Sequence, residues 1–334
     1  MYKGLHFHFN ENLADYSFLV TGGAGFIGSH IVEYLLTHNA KLVRVLDNYA
    51  TGLKSNTDLF KQYPNYQFIE GDITDLETCR KACEGIDYIS HQAALGSVPR
   101  SIKNPIDSHK VNVDGFLNML VAARDAGVKR FVFASSSSVY GDSPDLPKVE
   151  SKIGNPLSPY AVTKLSNELY AKVFALNYGM QLIGYRYFNV FGPRQNPEGV
   201  YAAVIPLFIQ KLMQGENPVI DGDGKQTRDF TYIQNVVQIN LKGLFSPDPE
   251  CTGKIYNVAV GKNYSVLDLF QNLQSLVATT FEPAHRETRK GHVRNSLADI
   301  SLAQKHLSYE PKVHFHEGLQ HTVAYFKSAF QPIN

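Results

Sequence analysis

Short apolar runs alternate with amphipathic stretches through the first half of the chain. Y-S-F-L-V (16–20) is apolar throughout its centre, and a glycine-rich turn leads straight into an amphipathic stretch reaching about Asn39. K-L-V-R-V-L-D (41–47), Y-Q-F-I-E-G-D (66–72), Y-I-S-H-Q-A-A (88–94), R-F-V-F-A-S-S (130–136) and L-I-G-Y-R-Y-F (182–188) read as further strands. Between them E-T-C-R-K-A-C (77–83), a run from about Pro105 to Gly127 and a run from about Tyr160 to Tyr178 read as helices. Apolar strands alternating with helices at this spacing predict an α/β protein, a doubly wound parallel sheet covered on both faces.

The rhythm breaks after Asn189. F-G-P-R-Q-N-P-E-G is punctuated by Pro and Gly as a loop is, and the segments beyond it are shorter and mixed. I-Y-N-V-A-V-G (255–261) reads as a strand returning to the sheet. The expected division is therefore a sheet domain of 16–189 plus 234–260, a smaller, discontinuous α/β substrate lobe of 190–233 plus 261–334, and an extension of 1–15 as a short helix or arm. No internal repeat or low-complexity tract interrupts this pattern.

Composition narrows the class without naming it. The 334 residues suffice for a large core and about two domains. Hydrophobic residues make up 43% and charged residues 19%, the balance of a soluble globular chain. A net charge of +1, from 32 basic and 31 acidic side chains, calls for neither nucleic acid nor an anionic membrane. Three cysteines make no disulfide framework; Cys79 and Cys83 lie on one face of a helix and read as reduced thiols. The opening residues lack the pattern of a signal peptide and no run is long enough for a membrane span, so the expected location is the cytoplasm.

The chemistry begins at V-T-G-G-A-G-F-I-G, where Gly22, Gly25 and Gly28 form G-x-x-G-x-x-G between a strand and a helix. A sharp turn, close backbone approach to a pyrophosphate and tight helix packing are what such glycines permit. The helix N-terminus offers N–H groups and the positive end of its dipole to the phosphates. Asp47 ends the second strand, where its carboxylate can accept hydrogen bonds from an adenosine ribose and would repel a 2′-phosphate. This selects NAD over NADP and makes the sheet an NAD-binding Rossmann fold. Asp72 and Ile73 end the third strand, on the adenine side.

Y-A-V-T-K places Tyr160 and Lys164 one helical turn apart on one face. A phenol is a weak base at its ordinary pKa of about 10. An ammonium about 4 Å away interacts with it by about 4 kcal/mol at an effective dielectric near 20, enough to lower that pKa by as much as about 3. S-S-S-S-V-Y-G (135–141) follows the fifth strand, at the carboxyl edge where ligands bind. A hydroxyl there can hold the reacting oxygen and relay its proton to Tyr160.

Taken in register, T-G-G-A-G-F-I-G, L-D-N-Y-A-T-G (46–52), H-Q-A-A-L-G-S-V-P-R-S (91–101), Y-A-V-T-K, R-Y-F-N-V-F-G-P-R-Q (186–195), Y-A-A-V-I-P (201–206), G-D-G-K-Q-T-R-D-F-T-Y-I (222–233) and V-R-N-S-L-A-D (293–299) span nearly the whole chain. The chain resembles the extended short-chain dehydrogenase/reductase family, and within it the bacterial UDP-N-acetylglucosamine 4-epimerase branch. The resemblance implies Tyr160 as base, Lys164 on the nicotinamide ribose and Ser136 assisting. It places Phe26, Ile27, Asn48, Thr51, Gly52, Ala93, Ala94, Tyr187 and Val190 on the cofactor, with the glycines, Asp47, Asp72 and Ile73. Gly96, Ser97, Val98, Arg100, Ser137 and Ser138 would border the sugar. Asn189, Arg228 and Arg289 would hold the UDP diphosphate, a task suited to a guanidinium fork, and Tyr201, Val204, Ile205 and Pro206 would pack near the uracil. One position departs from the family: R-x-G-D-V-R reads R-K-G-H-V-R here. His292 replaces an acid that touches the nucleotide ribose, and serves either as its substitute or as a solvated loop residue. A homodimer, through the helices near 105–127 and 160–178, is a further implication.

Several reactions share this scaffold, each starting with oxidation at carbon 4 of the sugar. Dehydration needs an acid pair beside the serine, and decarboxylation a glutamate near the V-Y-G tyrosine. Ser137 and Ser138 are neutral hydroxyls, leaving that second chemistry without a general acid. Epimerisation at carbon 4 remains, with NAD retained through the cycle. The resemblance puts Ser296 where glucose-only epimerases carry a bulky aromatic, which would leave room for an N-acetyl group and points to UDP-GlcNAc and UDP-GalNAc. The corresponding uronic acid stays open, because Ser97, Arg100 and Ser101 suit a carboxylate, as do UDP-glucose epimerisation of relaxed specificity and, in a different class, a non-catalytic NAD-binding sensor.

Overall fold

Seven strands form one parallel sheet in the computed structural model, which describes residues 1–198, 203–287 and 294–329. β1 (Ser17–Thr21), β2 (Leu42–Asp47), β3 (Tyr66–Glu70), β4 (Tyr88–His91), β5 (Arg130–Ser136) and β6 (Leu182–Tyr187) are joined by the strand Lys254–Val258. The spatial order is Lys254–Val258, β6, β5, β4, β1, β2, β3, with every pairing parallel. The chain runs outward from β1 to β3, then crosses back to start again at β4. The order therefore reverses between β1 and β4, where a crevice opens beyond the carboxyl ends of the strands.

Period-two alternation sorts the side chains onto two faces. Along β1, Phe18 and Val20 join one core while Leu19 joins the other. The helices Phe26–Thr37 and Ile233–Leu244 cover the first face, through Ile31, Val32, Leu35, Val236 and Ile239. The helices Leu76–Cys83, Gly115–Asp125 and Pro159–Tyr178 cover the second, through Cys79, Ala82, Phe116, Met119, Leu120 and Phe174. Burial pushes the Cys79 and Cys83 thiols up to about 12, so neither is a thiolate at neutral pH.

The helix expected from Pro105 to Gly127 is not regular. It comprises Pro105–His109, a π-helical turn at Lys110–Asp114 and Gly115–Asp125. The inserted residue brings Asn112 inward, where it ties two site segments together. Residues 1–15 form an arm with one 3₁₀ turn, Leu13–Asp15. Beyond Asn189 come the helices Val204–Met213, Val266–Val277, Ser301–Leu307 and Phe315–Ala329, with short strand pairs between them. Phe191, Phe230, Tyr232 and Phe315 form an aromatic cluster there. Among the described residues, no helix is long and apolar enough to cross a membrane.

Candidate active site

The glycine turn lies at the point where the strand order reverses. Gly22 has φ +70°, and a Cβ there would meet the Ala93 nitrogen, just past β4, at 2.7 Å. A Cβ on Gly28 would overlap the Gly22 carbonyl. Gly25 caps the helix Phe26–Thr37 without a side-chain acceptor, so the first-turn N–H groups are left for a ligand.

A cleft of about 790 Å³ opens over this turn. Gly22, Gly25, Phe26, Ile27, Gly28, Asp47, Asn48, Thr51, Gly52, Asp72, Ile73, Ala93, Ala94, Gly96, Arg100 and Val190 all line it. Asp47 is nearly buried and accepts the N–H groups of Ala24 (3.0 Å) and Tyr49 (2.8 Å). Burial raises its pKa, which those bonds only partly offset. Burial also opposes the charge on Asp72, but hydrogen bonds from Thr74 and Asn48 outweigh it and its pKa falls. A backbone cradle that a Cβ would fill, a helix N-terminus and a carboxylate at the end of β2 fit a dinucleotide with an unmodified adenosine ribose. The sequence reading did not single out Tyr49, Gln92, Val111, Gln195, Asn196 and Ala203, which also line the cleft. Gln195 and Asn196 lie in F-G-P-R-Q-N, whose loop-like composition assigns no role to either residue.

Ser158 caps the helix Pro159–Tyr178 by accepting from Ala161 N, and Pro159 sits in its first turn. Tyr160 and Lys164 lie one turn apart facing the end of β5, where the Ser136 side chain is the group that lowers the Tyr160 pKa. Lys164 Nζ donates to the Ala134 carbonyl at 2.8 Å and lies 5.9 Å from the centre of the Tyr160 ring. This corrects the expectation that Lys164 stands close enough to the phenol to lower its pKa. Burial raises the Tyr160 pKa, Ser136 only partly opposes it, and the ammonium is turned to a backbone carbonyl. Burial pushes Lys164 itself down to about 8, with Glu168 opposing.

Glu168 continues the line one turn on. Its carboxylate accepts from Arg186 Nε (2.9 Å) and Nη2 (2.7 Å) and from Ser135 Oγ, binding this helix to β5 and β6. Asn112, from the π turn, holds Leu95 N at 2.8 Å and Thr163 Oγ1 at 3.1 Å. Nothing in its sequence context distinguished Asn112 from its neighbours.

The other predicted residues lie on several elements. Ser137 lies in the 3₁₀ turn after β5, and Ser138 Oγ is buried without a partner. Ser97 caps the helix Val98–Lys103, and Val98 is exposed. Ser101 is fully buried; its hydroxyl donates to Val98 O and accepts Tyr160 N, so it is not disposed toward a carboxylate as expected. Tyr187 lies behind the cleft, accepting from Asn240 Nδ2 at 2.8 Å. Val204 is partly buried, while Ile205 and Pro206 are buried in the first turn of the helix Val204–Met213. The strand Thr227–Asp229 gathers three others: Asn189 Nδ2 donates to Asp229 O, Arg228 lies on the strand, and Ser296 N donates to Thr227 O. Burial lowers the Arg228 pKa. Asp229, pushed up to about 6 by burial, accepts N–H groups from Val260, Gly261 and Ala298 and anchors this strand. Tyr201, Arg289 and His292 lie outside the described residues.

Residues 18–259 match the model of the NAD dependent epimerase/dehydratase family. A putative UDP-glucose 4-epimerase of Methanocaldococcus jannaschii is 38% identical over 93% of this chain and 98% of its own. The structure of a UDP-N-acetylglucosamine 4-epimerase from Methanobrevibacter ruminantium M1, in complex with UDP-N-acetylmuramic acid, is 39% identical, with a TM-score of 0.89 over 94% of this chain and 99% of that one. That of a Thermus thermophilus UDP-glucose 4-epimerase in complex with NAD is 34% identical, with a TM-score of 0.83 over the same shares. Built on a Rossmann sheet and using NAD as cofactor, the chain belongs to the NAD-dependent nucleotide-sugar epimerase/dehydratase family of enzymes.

Proposed function

We propose that the protein is a 4-epimerase that interconverts UDP-N-acetylglucosamine and UDP-N-acetylgalactosamine. The observation carrying this reading is the Ser136–Tyr160–Lys164 set joined to a sugar-side wall of Ser137 and Ser138, with no acid at either position. Bound NAD supplies a hydride acceptor and donor. The glycine turn and Asp47 hold its adenosine and pyrophosphate, and Lys164 its nicotinamide ribose. Ser136 hydrogen-bonds the sugar 4-hydroxyl and passes its proton to Tyr160, which returns it when the keto sugar has turned its other face. Asn189 and Arg228 hold the diphosphate, joined by Arg289, while Tyr201, Val204, Ile205 and Pro206 form the uracil side and His292 meets the ribose. The substrate lobe is 190–233 plus 261–334.

Ser296 supports the acetylated substrate, since a small residue stands on the segment whose backbone pairs with Thr227, the residue before Arg228. Ser296→Tyr is expected to cut kcat/KM for UDP-N-acetylglucosamine at least about tenfold while sparing UDP-glucose, because a lost pocket costs more than the ~1.4 kcal/mol of one decade. Equal losses on both sugars would remove the gate from the argument. A second reading retains one feature, since Arg100 lines the cleft and suits a uronic carboxylate. NMR of products from a panel of UDP-GlcNAc, UDP-Glc and their uronic acids decides between them; an inert UDP-GlcNAc beside rapid UDP-glucose turnover overturns the proposal.

We also propose a homodimer. Val162, Leu169, Val173 and Leu176 recur at heptad spacing on the helix Pro159–Tyr178 and are exposed, as are Ile102 and Ile106 on the two short helices that contact it. A second copy covering this stripe makes a four-helix contact. Leu169→Glu with Leu176→Glu is expected to give monomers by sedimentation, and an unchanged mass rejects this interface.

A further inference from the structure

The arm of residues 1–15 is packed onto the helix that opens with the glycine turn. Tyr2 is fully buried, with its ring edge-on to His30 and Tyr34. Phe7 stacks on Tyr34 with ring centres 4.8 Å apart, and Phe9 stacks on Phe245. Hydrophobic contact alone accounts for those three rings.

The polar contacts at Tyr2 point elsewhere. Its hydroxyl lies 2.9 Å from His30 Nδ1, and His30 Nε2 lies 2.8 Å from the carbonyl oxygen of Pro193. That carbonyl can only accept, so Nε2 carries the ring proton and Nδ1 accepts from the Tyr2 hydroxyl. One turn on, Glu33 pairs with Arg194 at 2.8 Å, with both side chains largely buried. The turn these contacts reach departs from ordinary backbone geometry: Gly192 has φ +155° and Arg194 φ +65°, a conformation a side chain disfavours. Gln195 and Asn196, which follow at once, line the cofactor cleft, as does Val190 before them. Phe26, which also lines the cleft, packs edge-on against His30.

We infer that Tyr2 and His30 are positioning residues that join the arm to the Pro193–Arg194 turn and hold this wall of the cleft against bound NAD. Tyr2 fixes the histidine proton on Nε2, and the histidine holds the carbonyl of a turn whose Arg194 backbone lies in a disfavoured conformation. The helix that receives the pyrophosphate is thereby tied to the loop on the far side of the same cleft. This depends on the cleft taking NAD and is independent of which UDP-sugar is the substrate.

The test uses the full chain with three variants: Tyr2→Phe, which keeps the ring and loses the hydroxyl, His30→Phe, which loses both links, and the double variant. NADH affinity and release are followed by its own fluorescence, alongside Tm. Loss of one hydrogen bond of about 1 kcal/mol weakens NADH binding about fivefold. The double variant should show no more loss than His30→Phe alone, because the two residues act in series. Unchanged NADH affinity and release in Tyr2→Phe and His30→Phe overturn the proposal, even with a lowered Tm, since that pattern marks packing alone. Additive losses in the double variant overturn it too, by separating the two residues.

Discussion

Tyr160→Phe is expected to lower kcat by about a thousandfold or more while the protein keeps its fold and its NAD, the scale of losing a positioned acid–base group. The substitution removes one oxygen from a partly buried ring on the helix Pro159–Tyr178, beside Ser136. The glycine turn and Asp47 lie at other strand ends and keep their geometry. The wild-type pH profile carries the complementary signature. Burial raises the Tyr160 pKa, and a positive charge in the adjoining cleft would act in the opposite direction and favour the phenolate. Lys164, at about 8, is charged below that pH and neutral above it, so turnover should fall on the alkaline side. Turnover equal to wild type in Tyr160→Phe would remove Tyr160 as the base, whereas a cellular role kept by a Tyr160→Phe protein without turnover would leave an NAD-binding sensor as the better reading.

Glu168→Ala should destabilise the fold by about 3–5 kcal/mol, because it leaves the Arg186 guanidinium buried without its anion. Burial opposes the charge of Arg186, but the Glu168 carboxylate outweighs it and raises its pKa. Glu168 is also the anion that keeps the Lys164 pKa from falling further. Glu168→Gln retains the shape, so its surviving fraction should show the alkaline limb moved to lower pH. Chemical denaturation reads the first effect and a pH–rate profile the second. A stability loss with no movement of that limb would confine Glu168 to holding the helix on the sheet.

Period-two and helical patterns are local properties, so the strand and helix order could be read directly from the chain. Gly22 and Gly28 were legible because the absence of a Cβ is required by backbone contacts one turn away, or just past the neighbouring strand. The π turn at Lys110–Asp114 was not, since one inserted residue leaves the apolar pattern of a helix almost intact. Ser101 read as a free hydroxyl because its partner, Tyr160 N, lies 59 residues away.

The same boundary divides the proposed catalytic set. Sequence by itself determined the parallel sheet, the dinucleotide turn, the acid at Asp47 and the pairing of Tyr160 with Lys164 on one helical face, all consequences of spacing within one element or across one turn. Tertiary structure alone decided the state of those groups. Burial of the phenol, the turning of Lys164 to the Ala134 carbonyl and the tether from Glu168 to Arg186 arise where a helix meets two strands distant in the chain. Desolvation depends on everything packed around a group, and no local pattern of residues encodes that.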